Sequence, residues 1–358
     1  MGQVTRTTKT RGTREARPTR RIGFLLPGQG AQHQRMAAGL YGWDDVFTTT
    51  MDTLFAALGT DGGTLRADWL SDDPAVPPDH VTRAQPLLYA VDYAIGATLR
   101  AWGAPPAVLL GHSAGELAAG ALAGVFDPAD AMRLMWDRAR RIAALPPGGM
   151  LAVAATVEEL TPWLHGDVVI AAVNGPRQTM LAGPAAPLAE ALPRIREAGL
   201  TAVPVKATTA FHSPALRPAI STEPYQGVTL RPPAVALWSA FAAAPLTVDL
   251  ALSPRFWAGH PVEPVLFGPA LDALLTGEDL LLIETGPGQG LTSLARRHPR
   301  VRAGHSAVVP LLPARPLGPR HDRRHLLAAV DRLRDQGWKL NPPPAPHDEA
   351  TDPSGETR

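Results

Sequence analysis

Ala107-Val108-Leu109-Leu110-Gly111-His112-Ser113-Ala114-Gly115-Glu116-Leu117-Ala118-Ala119 passes from an apolar run to a helical pattern through two glycines that bracket a serine. The run Ala107 to Leu110 is of the buried-strand type, and Glu116 to Ala119 reads as helix. A turn that sharp needs glycine on both sides, because a Cβ at Gly111 or Gly115 would collide as the backbone doubles back. The Ser113 hydroxyl is then left above a helix N-terminus, where backbone N–H groups can hold an anion. The stretch predicts a serine presented on a strand-to-helix elbow within an α/β layer.

Outward from it, strand and helix patterns alternate. Ile22 to Leu26 reads as a strand ending in the turn Pro27-Gly28-Gln29-Gly30, and Ala84 to Trp102 and Asp130 to Leu145 read as helices. Such alternation argues for a mainly parallel sheet. Between 150 and 207 the pattern changes. Strands fit Met150 to Ala154, Val168 to Val173, Thr179 to Ala182 and Ala202 to Val205, with helices at Val157 to Leu164 and Ala186 to Ala198. The order β-α-β-β-α-β predicts a ferredoxin-like subdomain inserted into the larger one. Strands at Val235 to Trp238 and Leu280 to Glu284 then return the chain to the larger unit, residues 22–149 and 208–335.

The 358 residues suffice for a sizeable core, and zero cysteines exclude disulfides, thiolate metal sites and a cysteine nucleophile. Covalent chemistry must run through an oxygen or a lysine nucleophile. No apolar run reaches the roughly 18 to 20 residues of a membrane span. The expectation is a cytoplasmic monomer with no membrane, nucleic-acid or metal partner. Residues 1–21 carry a net charge of +6 and residues 341–358 a net of −3. Both ends lack apolar periodicity, so a basic arm over 1–21 and a Pro-rich acidic tail over 336–358 are expected to be disordered.

Ser113 is a weak nucleophile without a base within hydrogen-bond reach. Of eleven histidines, His112 adjoins it, but on so tight a turn the neighbour points away and packs beneath the elbow. His33, His80, His165 and His298 lie in polar surroundings and read as surface residues. His212, in Thr209-Ala210-Phe211-His212-Ser213-Pro214, sits where the chain leaves the small subdomain and therefore near the mouth of an interlobe cleft. The turn Gly28-Gln29-Gly30 can aim a backbone N–H at a developing oxyanion, or can be a phosphate loop or a plain turn. His33 at the third glycine position argues against the dinucleotide fingerprint.

Several motifs now carry a resemblance. Phe24-Leu25-Leu26-Pro27-Gly28-Gln29-Gly30-Ala31-Gln32, Gly111 to Glu116, Gly148-Gly149-Met150, Val173-Asn174-Gly175-Pro176, Ala210 to Pro214 and Glu284-Thr285-Gly286-Pro287-Gly288 follow one another in register. In this the chain resembles malonyl-CoA:acyl-carrier-protein transacylases and polyketide synthase acyltransferase domains, over about residues 22 to 310. The resemblance implies an α/β-hydrolase-like large subdomain and transfer of a malonyl-type group from coenzyme A to an acyl carrier protein, in polyketide or fatty acid biosynthesis. It implies no bound cofactor, the coenzyme A thioester being substrate. Ser113 would be the nucleophile and His212 the base, held by a backbone carbonyl and an amide side chain. The N–H groups of Gln29 and Ala114 would form the oxyanion hole. Arg138, twenty-five positions after Ser113, would grip the free carboxylate, and Gln85 and Asn174 would line the pocket.

Phe211 matches the aromatic residue of malonyl users, whereas methylmalonyl users tend to have serine there. Thr209 departs from the usual first residue of that pattern, so an unusual acyl unit stays open. In Phe256-Trp257-Ala258-Gly259-His260-Pro261-Val262-Glu263-Pro264-Val265, His260 replaces the family's asparagine, so that support of His212 would fall to an imidazole. The chain's own start and tails suggest a discrete enzyme acting in trans, and the clusters Arg138 to Arg141 and Arg296-Arg297 with Arg300 and Arg302 are candidate carrier-docking surfaces unless Arg138 points inward. The rival readings are an acyl-carrier hydrolase, a carrier-to-carrier acyltransferase, and a non-catalytic carrier-binding homologue.

Overall fold

A computed structural model describes residues 19–344. The expected arm and tail lie largely outside the described residues, and the described parts of both are packed, contrary to expectation. Arg21 opens the first strand, Trp338 Nε1 donates to the Arg20 carbonyl at 3.2 Å, and Asn341 N donates to the Trp102 carbonyl at 3.0 Å. Trp338 and the buried Leu340 supply apolar surface that ties the two ends together.

The described strands are β1 (Arg21–Leu26), β2 (Val108–Gly111), β3 (Gly148–Val153), β4 (Val169–Gly175), β5 (Gln178–Pro184), β6 (Ala202–Pro204), β7 (Ala236–Ser239), β8 (Ala244–Pro245), β9 (Leu280–Glu284) and β10 (Ala307–Pro310). The larger sheet runs β10-β9-β1-β2-β7-β8, parallel throughout except for the short β8. Helices cover both its faces, which is why β1, β2 and β9 are nearly continuous runs of buried aliphatic residues. Leu26 pairs with Gly111 and Leu25 with Glu284, so the turns after β1, β2 and β9 emerge side by side at the carboxyl edge. Open parallel sheets place their sites at that edge.

The smaller sheet is antiparallel, in the order β4-β5-β3-β6. With helices at Val157–Leu160 and Ala185–Glu197 this is the expected ferredoxin-like arrangement, closed over a separate core of Leu151, Val153, Leu160, Leu181, Leu188 and Ile195. Its edge strand β4 is tied to the larger unit. Val173 N donates to the Val265 carbonyl at 2.8 Å and Val265 N to the Ala171 carbonyl at 2.9 Å. Among the described residues no helix is long and apolar enough to cross a membrane.

The elbow after β2 depends on its glycines as the sequence requires. A Cβ at Gly111 would lie 2.3 Å from Glu116 N, and one at Gly115 would lie 2.2 Å from the Leu26 carbonyl oxygen. Both obstacles are backbone, which cannot move without disturbing β1 or the helix Gly115–Leu122. Gly115→Ala is therefore expected to cost about 1–3 kcal/mol or more. The measurement is a lowered urea midpoint at constant m. An unchanged midpoint would show that the elbow relaxes freely.

Candidate active site

Ser113 stands on the elbow with φ +53°, a left-handed conformation that a non-glycine residue adopts only when its surroundings impose it. The imposing surroundings are β1 and its turn. His112 N donates to the Leu26 carbonyl at 2.9 Å, and a Cβ at Gly28 would lie 2.4 Å from the His112 carbonyl oxygen and 3.1 Å from Ser113 Cβ. The Gly28-Gln29 turn is thereby pressed directly against the serine.

His212 lies where the chain re-enters the larger unit, between β6 and the short helix Pro214–Ala219, and is also left-handed, with φ +60°. Its N–H donates to the Pro261 carbonyl at 2.8 Å, and Ser213 Oγ donates to the Ala210 carbonyl at 2.7 Å, which fixes the turn. His212 Nε2 is 2.7 Å from Ser113 Oγ. On the opposite side Nδ1 lies 2.9 Å from the Glu263 carbonyl oxygen and 3.1 Å from that of His260. Two acceptors at Nδ1 place the proton there, leaving the Nε2 lone pair for the serine hydroxyl. Burial chiefly, then His112, and more weakly Arg138, lower the His212 pKa to about 4, against the opposing pull of the two carbonyls. The imidazole is thus neutral at physiological pH and able to accept a proton.

The expectation that a side chain at 260 supports His212 is corrected here. His260 contributes its carbonyl, while its imidazole is stacked on Phe241, with ring centroids 3.9 Å apart and planes 18° from parallel. Phe256 closes on it edge-on at 4.7 Å. The aromatic packing holds the ring away from His212 Nδ1, and the support comes from main-chain atoms that residue type does not reveal.

The Gln29 and Ala114 N–H groups donate no hydrogen bond among the described residues, as an oxyanion hole requires. The Gln29 side chain is occupied elsewhere: its Nε2 donates to the Asp79 carbonyl at 3.1 Å, and its Oε1 accepts from Gln85 Nε2 at 3.2 Å. Ser113 and His212 open onto a cleft of about 650 Å³ between the two lobes.

A second, much smaller cavity of about 10 Å³ lies beside Ser113, lined by Gln85, Ala114, Arg138, Phe211, His212 and His260. Arg138 is delivered by the helix Pro128–Ala143, which Asp127 caps by accepting from Ala129 N at 2.9 Å. The guanidinium meets no carboxylate among the described residues. Nη2 contacts Met135 Sδ at 3.0 Å and Nε is buried without a partner. Burial pulls its pKa below the ordinary value. An unpaired guanidinium at a cavity wall is a ready-made receptor for a carboxylate. Arg138 faces inward and so is lost to the expected docking cluster, in which Arg141 is paired with Asp137 at 2.7 Å.

Asn174 Oδ1 lies 2.8 Å from His112 Nε2. His112 does not pack beneath the elbow as expected; it lines the cleft, because β4 brings Asn174 within reach. His33 is also corrected. It is half-buried in the cleft wall, with Nδ1 3.0 Å from the Gln34 carbonyl oxygen. His298, read as a surface residue, is mostly buried and lies 3.1 Å from Asp272. Lys206, at the exposed rim of the cleft, was not anticipated, since a lone lysine after a strand carries no signal.

Residues 23–313 match the family model described as acyl transferase domain. A phenolphthiocerol/phthiocerol polyketide synthase chain of Mycobacterium tuberculosis is 35% identical over 340 residues, covering 93% of this chain and 23% of that protein. The chain therefore spans about a quarter of the length of that curated relative. The acyltransferase domain from the second module of the salinomycin polyketide synthase superposes with a TM-score of 0.81 at 31% identity, over 90% of this chain and 75% of that one. A malonyl CoA-acyl carrier protein transacylase from Clostridium perfringens shares the fold, with a TM-score of 0.78 at 22% identity over 88% of this chain and 98% of the other. With the elbow, the opposed histidine and the arginine-lined cavity already in place, these matches settle the family: the chain belongs to the acyl transferase domain family.

Proposed function

We propose that this protein is a cytoplasmic acyltransferase that moves a malonyl group from coenzyme A to the phosphopantetheine thiol of an acyl carrier protein through an acyl-Ser113 ester. The observation that carries the reading is the 2.7 Å contact between Ser113 and His212 beside a cavity walled by an unpaired arginine. Ser113 Oγ attacks the thioester carbonyl as its proton passes to His212 Nε2, and the imidazolium is stabilised through Nδ1–H by the His260 and Glu263 carbonyls. The tetrahedral oxyanion is met by the N–H groups of Gln29 and Ala114. Collapse breaks the carbon–sulfur bond, and the departing coenzyme A thiolate takes the proton from Nε2. The second half runs in reverse with a new thiol: the carrier's sulfur loses its proton to Nε2, attacks the ester carbonyl, and Ser113 Oγ leaves as it is reprotonated. The scheme is ping-pong.

Malonyl is favoured over a bulkier unit because the Phe211 ring forms part of the wall of the small cavity beside Ser113. The test is intact-protein mass spectrometry after brief incubation with malonyl-, methylmalonyl- and acetyl-CoA, beside a Ser113→Ala control. A malonyl adduct on the parent alone is expected. Labelling only by acetyl-CoA would overturn the role of Arg138, and a malonyl adduct surviving in the control would overturn that of Ser113.

A further inference from the structure

Three buried nitrogens without a hydrogen-bond partner among the described residues belong to two residues lining the same small cavity: Arg138 Nε and both ring nitrogens of His260. A buried donor left unpaired carries its full desolvation penalty, so a fold that keeps several such groups at one wall is shaped for something that pairs them. His260 cannot swing away to find a partner. Its ring is stacked on Phe241, with Phe256 edge-on and Trp257 at 5.2 Å, and Nε2 is halted 4.0 Å from Glu116 Oε1, beyond hydrogen-bond range. Of the Glu116 carboxyl only Oε2 is engaged, accepting from Ala240 N at 2.9 Å, and Oε1 is itself buried without a partner among the described residues. Burial keeps the imidazole neutral, with one N–H to give.

We propose that His260 is a specificity-determining residue that forms the second arm of a carboxylate clamp, its ring N–H donating to the free carboxylate that Arg138 pairs with. The inference rests on the malonyl reading and deepens it. Arg138 supplies the charge, and His260 supplies a fixed donor that an acyl group lacking the distal carboxylate leaves unused. Position 260 thus discriminates dicarboxylic from monocarboxylic acyl units, apart from the hold its carbonyl keeps on His212.

The test compares Ser113 acylation by malonyl-CoA with modification of Ser113 by a small fluorophosphonate, which needs the Ser113–His212 pair but carries no carboxylate. His260→Phe keeps the aromatic stack and removes the donor, whereas His260→Asn keeps a donor; His260→Met, of similar bulk, replaces the phenylalanine variant should that fail to fold. The ratio of malonyl to fluorophosphonate rates is expected to fall about 10- to 100-fold in His260→Phe and to recover to within about threefold in His260→Asn. The loss should appear mainly as a raised apparent KM. An unchanged ratio in His260→Phe overturns the clamp, because a residue acting only through His212 slows both reactions alike. A parent that reacts with the fluorophosphonate yet refuses malonyl-CoA overturns the malonyl reading itself, and the clamp with it.

Discussion

Replacing His212 with asparagine is expected to slow acylation of Ser113 by about a thousand- to ten-thousand-fold. Asparagine is the informative choice because position 212 is left-handed, with φ +60°, a region that asparagine tolerates far better than alanine. The backbone turn, with His212 N bonded to the Pro261 carbonyl, then survives while the proton acceptor is lost. Residual acylation within tenfold of the parent, in a variant with unchanged circular dichroism, would show that the 2.7 Å contact is not the proton-transfer path.

The same residue predicts the pH profile. Nε2 must be unprotonated for the base to act, and His212 carries this second proton only below about pH 4. The kcat/KM for acylation should therefore stay level from about pH 8 down to about pH 5, then fall as pH drops through about 4, by about tenfold per pH unit. A histidine at its ordinary value would already be failing below about 6.5. A profile that breaks near 6.5 would mean that the Nε2 environment is wetter than the buried geometry implies.

What could be read in the sequence was whatever side-chain type determines locally. The limits of β9 match the expected strand, because an unbroken run Leu280 to Ile283 has nowhere to go but a sheet covered on both faces. The elbow was legible because only glycine fits beside Glu116 and Leu26. Other elements left little trace. The helix Thr60–Leu70 contains Gly62 and Gly63 and shows no apolar stripe, and β10 is four residues whose partner, β9, decides its conformation. In the site, Ser113 and His212 could be singled out by type and position, and Arg138 only through the family resemblance; of the backbone carbonyl and the side chain expected to hold His212, the structure brings only carbonyls to Nδ1. Two carbonyls, of His260 and Glu263, do that work, and any residue has a carbonyl. The histidines misplaced on the surface, His33 and His298, sit in polar sequence but are folded against neighbours distant in the chain, as His298 is against Asp272.

Arg138→Ala is expected to lower kcat/KM for malonyl-CoA by about a hundred- to several-thousand-fold, the range found when one partner of a buried, hydrogen-bonded charge pair is removed. The argument turns on what the cavity does to a carboxylate. Taken out of water beside Ser113, an acyl carboxylate without a counter-charge carries a desolvation penalty that neutral donors such as His260 offset only in part. Arg138→Lys keeps the charge but loses the planar fork, and should recover only a fraction of the loss. Acetyl-CoA has no carboxylate to strand, so its acylation rate should change far less and the malonyl preference should collapse. Stability should move the other way. In the free protein Arg138 is a half-buried cation with a buried, unpartnered Nε and no carboxylate beside it among the described residues, so its removal should leave the melting temperature unchanged or raise it. A variant that melts lower and loses malonyl and acetyl transfer equally would recast Arg138 as a packing residue of the helix Pro128–Ala143. One that melts as high as the parent and loses malonyl alone identifies the guanidinium as the group that recognises the substrate's charge.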